Sequence, residues 1–355
     1  MTSRELFQSI MHYGEFDRMP VFHWRGWPET YDRWHREGLP KGVDEHEFFQ
    51  SETPYGYGIP INVNLHPLFE EETIEETEQY RIFRQNDGVI AQHFKGRSAL
   101  PHYLDFLLKD RTGWPEYKKR LQPNPARIPA DIDEHIAKAK ASNLPITIGT
   151  GSMVGFTRNW MGVMNFCTAC CEDPTLIAEI ADTIADLVCW CLEQVLPKVH
   201  VDKGWGWEDI CFKTGPLVPP PVFEMAAVPA YRKISDTLLK YGCDLHVIDS
   251  DGKIDELVPM WLKAGVNVMF PIEIGTWDAD PMAFRRKYGR ELRVIGGVNK
   301  LVLERDRKAI DEEIERRKPL MAEGGFIPLP DHLMTPDTPL DNYRYYLDRI
   351  RELRF

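Results

Sequence analysis

No run of about 18 apolar residues occurs anywhere in the 355-residue chain, so no segment reads as a membrane-crossing helix. The opening residues, Met1-Thr-Ser-Arg-Glu-Leu-Phe-Gln-Ser-Ile, lack the apolar centre of a secretory signal, and a cytoplasmic location is expected. Cysteine is sparse, odd in number at seven, and scattered, which argues against a disulfide framework. Cys167-Thr-Ala-Cys170-Cys171 has a Cys-x-x-Cys spacing, but no second pair accompanies it. Cys189 and Cys191 lie in a helical apolar run and read as core. Positive charge is in deficit, with 43 Lys and Arg against 55 Asp and Glu. The net charge of −12 argues against nucleic acid or an anionic membrane as a partner, although a local basic cluster could still hold an anionic ligand. Two motifs are also missing: a Gly-x-Gly-x-x-Gly turn after an early strand, and a sequential metal motif such as His-Glu-x-x-His.

What is present is a repeating strand–loop–helix pattern. Met19–Arg25 reads as a strand followed by a helix over 27–37, with Pro28 in its first turn and Gly38 as its stop. Further strands are expected at Leu144–Gly149, Gly204–Ile210, Asp244–Asp249, Val266–Pro271, Leu292–Gly297 and Gly325–Pro330. Helices are expected over 173–198, 222–241, 253–264, 280–288, 306–323 and 340–353. A glycine-rich loop is expected directly after Leu144–Gly149. Alternating β and α at this spacing means parallel strands joined by crossovers. Without the dinucleotide turn, the pattern favours a (β/α)₈ TIM barrel as one domain over residues 1–355, with an eighth strand in or near 55–66. Residues 71–95 alternate with period two around an Asn86-Asp-Gly88 turn, and read as a small antiparallel β-hairpin inserted near the N-terminus.

Barrel sites lie at the C-terminal ends of the strands, so the fold itself selects the candidates. These ends carry Arg25; Glu208 and Asp209; His246, Asp249 and Asp251; Glu273; Asn299 and Lys300; and Asp331 and His332. Carboxylates dominate, and several on one axis repel unless a cation or shared protons lie among them. The alternative is a hydrogen-bonded network around a polar substrate. Glu208, His246, Asp251 and His332 are the expected metal ligands, zinc first, with Glu273 as a further ligand or neighbouring base. Whether Asp249 or Asp251 faces the mouth is open at this level. Trp24, Trp207 and Tyr57, within a larger set that includes Trp27, Tyr55 and Trp205, could wall a pocket for a flat ligand or could be core. Lys300 could neutralise the acids, hold a substrate carboxylate or sit on the surface.

Four segments, Asp17-Arg-Met-Pro-Val-Phe, Leu245-His-x-x-Asp-x-Asp-Gly, Val294-Ile-Gly-Gly-Val and Asp331-His-Leu-Met-Thr-Pro-Asp-Thr-Pro339, resemble in order those of the uroporphyrinogen decarboxylase superfamily. That resemblance implies a (β/α)₈ barrel and, as in many members, a homodimer. The decarboxylases use no metal and hold tetrapyrrole propionates with two N-terminal arginines and a pocket aspartate. Arg25 matches one arginine, Trp24-Arg-Gly-Trp-Pro-Glu-Thr supplies no second, and Ile61-Asn-Val-Asn-Leu lacks the aspartate. The corrinoid-linked methyltransferases of the superfamily often hold zinc on His-x-Cys and a distant Cys. Here His246 matches the histidine, Ile248 replaces the first cysteine and His332 the second. A site of carboxylate and imidazole is similar to the family's O-demethylases, which implies methyl transfer between a small methylated substrate and a methylcobamide carried by a corrinoid protein. A decarboxylase or lyase is the alternative, with Arg25 and Lys300 holding carboxylates and His332 giving a proton. A non-catalytic tetrapyrrole- or corrinoid-binding protein is the third reading.

Overall fold

A computed structural model describes residues 1–96 and 101–355. Seven parallel strands form one sheet, in chain order β1 (Tyr57–Ile59), β2 (Ile146–Gly151), β3 (Lys203–Trp207), β4 (His246–Asp249), β5 (Val268–Phe270), β6 (Arg293–Ile295) and β7 (Phe326–Ile327). Each strand pairs with the next, as right-handed β–α–β connections require when every crossover returns to the same side. The strands are short and nearly all buried, because helices cover the outer face and side chains fill the inner one. The eighth strand expected near 55–66 is β1.

Met19–Arg25 does not form a full strand. It makes one isolated parallel bridge instead, Phe22 to Glu52, and a second follows directly after it, Gly26 to Met334. Its neighbours on both sides are loop segments, which leaves only single pairings to make. These bridges nevertheless set the stretch between the continuation of β7 and the segment leading into β1.

Two expectations change. The hairpin at 71–95 is part of a four-stranded antiparallel sheet, Glu72–Glu76, Tyr80–Arg84, Ile90–Phe94 and His102–Asp105, so the insertion runs further than the Asn-Asp-Gly turn reveals. The glycine-rich stretch after β2 is not a loop for long. It enters a helix at Gly155 that runs to Glu172, with a break in helical geometry at Gly162 (φ 71°, ψ 158°). Gly162 and the apolar spacing around it disguise this helix in the sequence. The next helix, Pro174–Val195, starts with Asp173 accepting a hydrogen bond from Leu176 N–H and Pro174 in its first turn. It packs against Pro220–Lys240, and its inner residues Ile177, Ile180, Ile184, Val188 and Leu192 are wholly buried. Each contributes on the order of 1.5–3 kcal/mol of burial before entropy is counted.

Candidate metal and substrate site

Register decides which strand-end residues meet. His246 opens β4 and lies opposite Gly204, while Asp249 closes it opposite Trp207 and Phe270. Side chains alternate between faces along a strand. His246 faces outward against the Pro220–Lys240 helix, where Nδ1 pairs with Ser235 Oγ at 2.9 Å and Nε2 with Thr150 Oγ1 at 3.0 Å. Burial lowers its pKa to about 3, so it is neutral. At roughly 3.3 Å of rise per residue it sits far below the mouth. The structure therefore does not bring His246 to the metal candidates.

Glu208 does not join them either. It is fully buried, and its two oxygens receive N–H groups from Met153 (2.9 Å), Val154 (3.1 and 3.2 Å) and Gly155 (2.5 Å), with hydroxyls from Ser152 (3.0 Å) and Tyr231. The carboxylate anchors the first turn of the Gly155–Glu172 helix, where backbone donors have no partners of their own. Its acceptor capacity is used by protein donors.

The residues that do converge are Asp251, Glu273 and His332, each offering one ligating atom within 4.8 Å of the others. Asp251 comes from the loop after β4, Glu273 from the loop after β5, and His332 from the loop after β7. His332 Nε2 stands 3.4 Å from Asp251 Oδ2. Glu273 is fixed from two sides, by Gly252 N–H at 2.6 Å and Thr276 Oγ1 at 2.9 Å. Gly252 has φ +83°, and a Cβ there would meet the Cys211 carbonyl oxygen at 2.3 Å, so only glycine presents that N–H. Asp331, beside His332, accepts N–H groups from Ile274 (2.6 Å), Gly275 (3.0 Å) and Lys300 (2.9 Å). It ties the loops after β5, β6 and β7 together.

The electrostatics match a place prepared for positive charge. Burial raises the Glu273 pKa and the Asp251 carboxylate raises it further; Asp209 is shifted upward by the same two causes. Asp249, facing inward just below, is raised well above the ordinary carboxylate range by burial and then by Asp251 and Asp209. Burial opposes protonation of His332, but the hydrogen bond and charge of Asp251 outweigh it and the imidazole pKa is raised. Asp251 Oδ1 and His332 Nδ1 are both buried without a hydrogen-bond partner among the described residues. Buried polar atoms are normally paired. Two orphans on two members of one His–Asp–Glu trio fit a divalent cation of the zinc type.

Aromatic rings floor and wall this site. Trp24, Tyr55, Trp205 and Phe270 pack edge to face, with Trp24 to Phe270 and Tyr55 to Trp205 centroids 4.8 and 4.9 Å apart. Trp24 lies 6.1 Å from His332, and Trp27 stacks on the same imidazole at 6.2 Å and 16°. Trp207 lies toward Phe156 and Arg158. Tyr57 instead faces the Ile132–Ala141 helix within electrostatic reach of Lys138, and Tyr55 takes the place expected for it. Arg25 is exposed and forms no ion pair among the described residues. Lys300 is half-buried at the start of a short 3₁₀ turn, and its charge reaches His332.

Residues 120–353 match the model of the uroporphyrinogen decarboxylase (URO-D) family, about two thirds of the chain. The chain belongs to that family. No curated protein matches it in sequence. Among solved structures it is similar to a methyltransferase from Methanosarcina mazei, at TM-score 0.60 and 13% identity, over 99% of both chains. At that identity the likeness concerns the fold. The family match begins after the antiparallel insertion.

Proposed function

We propose that the chain is a metal-dependent methyltransferase that moves a methyl group from a small methylated compound, such as a methoxy compound, to a corrinoid carried by a partner protein. The site would lie at the mouth of a (β/α)₈ barrel completed by the Phe22 and Gly26 bridges. The observation that carries this reading is the Asp251–Glu273–His332 trio with its two unpartnered buried atoms. These three residues would hold the ion, which supplies Lewis acidity at the oxygen that loses its methyl group. Gly252 and Thr276 orient Glu273, while Asp331 fixes the loops on either side. Trp24 and Trp27 bracket His332, limit its motion and keep water from one side of it. A trio without thiolate suits an oxygen ligand better than a sulfur one.

The acidic mouth, with Asp209, Asp249, Asp251 and Glu273, opposes a polycarboxylate substrate, which weakens the decarboxylase alternative. That alternative rests on Arg25, exposed and without an ion pair among the described residues, on Lys300 as a second carboxylate holder and on His332 as the proton donor. The two readings separate in one pair of assays. Purified protein is expected to carry about one divalent metal per chain and His332→Ala almost none, by mass spectrometry of metals. Methylation of cob(I)alamin from methoxybenzene donors, followed by visible absorbance, should fall at least 100-fold in that variant and only a few-fold in Arg25→Ala. A metal-free preparation that methylates cob(I)alamin at the full rate would sink the mechanism.

A further inference from the structure

A cleft lies between the antiparallel insertion and the broken Gly155–Glu172 helix, lined on one side by Val89, Tyr103 and Phe106 and on the other by Arg158, Asn159 and Val163. Its cavity volume is about 130 Å³, less than a whole drug-sized ligand needs and suited to one part of a small molecule. Its construction is specific. At Gly162 the helix turns through φ +71°, and the Phe106 ring fills the space where a Cβ would stand, 2.3 Å from its Cζ. The break thus lets the insertion dock its aromatic residue on the barrel. Tyr103 and Val163 are left as an exposed apolar rim, 48% and 39% accessible.

The helix side of the cleft carries polar side chains, Arg158 and Asn159, and Arg158 is its one cation among the described residues. Arg158 donates to the Asp209 carbonyl oxygen at 2.7 Å, stands 3.6 Å from the Asp209 carboxylate and lies 5.7 Å from the Trp207 ring. Its Nε is buried and has no partner among the described residues. An unpaired guanidinium N–H calls for an acceptor. Asp209 in turn is within electrostatic reach of Asp251 and His332, so Arg158 is linked to the trio through the residue it pairs with. The one acid of the lining, Asp87, is turned to its own chain, accepting from Val89 N–H at 3.0 Å.

We propose that this cleft is a second binding subsite, taking a flat aromatic group that lies against Tyr103 and Phe106 and carries an oxygen acceptor directed at Arg158. It rests on the methyltransferase reading in one respect, that the group bound there is the part of the substrate remote from the methyl. Four of the eight residues that line it, Asp87, Val89, Tyr103 and Phe106, come from the antiparallel insertion or the residue just after it, so the insertion shapes this subsite.

The test uses the full chain with 4-fluorobenzoate as probe, read by fluorine NMR line broadening, with 4-fluorotoluene as the ring lacking an acceptor. Wild-type protein is expected to bind 4-fluorobenzoate saturably and 4-fluorotoluene at least tenfold more weakly. Val163→Glu, on the exposed rim, and Arg158→Gln should each weaken 4-fluorobenzoate at least tenfold, with unchanged circular dichroism. Retained binding in both variants, or no saturable binding to the wild type, would overturn the subsite. Equal affinity for the two probes would also overturn the role of Arg158. Because this readout needs neither metal nor methyl transfer, loss of the methyltransferase reading and loss of the subsite are separate results.

Discussion

Glu208 and Glu273 both stand just beyond a barrel strand, yet one anchors a helix and the other joins the trio. The difference lies in what surrounds them. Glu208 meets three backbone N–H groups and two hydroxyls, so Glu208→Ala would strand them without partners in the core. The expected cost is roughly 3 kcal/mol or more, measurable by urea denaturation. Strand ends could be found from apolar runs, but the partners of a carboxylate are set by the Gly155–Glu172 helix, which the sequence concealed. Likewise His246 and Asp251 are five residues apart in sequence, and only the register of β4 shows that they leave by opposite faces and different ends. Lys203 carries a further consequence at this scale. It is fully buried, with Nζ donating to the Pro54 carbonyl oxygen at 2.7 Å, and burial lowers its pKa to about 7. Between pH 7 and its ordinary value near 10.5 the unfolded chain binds a proton that the folded chain does not, so stability rises with pH there, by up to about 1.4 kcal/mol per pH unit. Lys203→Met should flatten that slope in denaturant titrations run from pH 7 to 10.

The loops after β5, β6 and β7 act as one element because Asp331 accepts N–H groups from Ile274, Gly275 and Lys300. Asp331 does not belong to the trio but sits between two of the loops that supply it. Asp331→Ala should therefore lower metal affinity by about 10- to 100-fold, in a competition titration with a zinc-chelating dye, while the far-ultraviolet dichroism is preserved. Most elements were legible from the sequence: the parallel strands after residue 144 fall within a few residues of their expected places, and β1 occupies the stretch left for the missing strand. Two elements were not. The Gly155–Glu172 helix is interrupted by a glycine that reads as loop chemistry, and the full insertion exceeds the alternation that signals its first hairpin. Those are also the two elements that build the cleft around Phe106 and Arg158, which is why sequence reasoning had no view of it.

At the scale of the whole molecule, function and stability oppose one another at the mouth. Asp209, Asp249 and Glu273 all have raised pKa values, chiefly from burial and also from the charge of Asp251. The folded metal-free chain therefore holds protons that the unfolded chain has released, and its stability falls as pH rises above the ordinary carboxylate range. Thermal unfolding without metal should show a Tm that falls as pH rises from about pH 5 toward pH 7, below the range where Lys203 acts, with zinc opposing the fall through mass action on the folded state. Asp251→Ala should raise the metal-free Tm at pH 8 by relieving repulsion and should abolish the response to zinc. The barrel path has a consequence of a different kind. Gly26 pairs with Met334, and His332 lies two residues before it. During synthesis Phe22 can pair with Glu52 early, but the Gly26 edge stays unpaired until residue 334 has left the ribosome. Pairings so distant in sequence form slowly. During translation the open edge at Gly26 is thus a template for wrong neighbours, and the Asp251–Glu273–His332 trio cannot assemble before His332 has emerged.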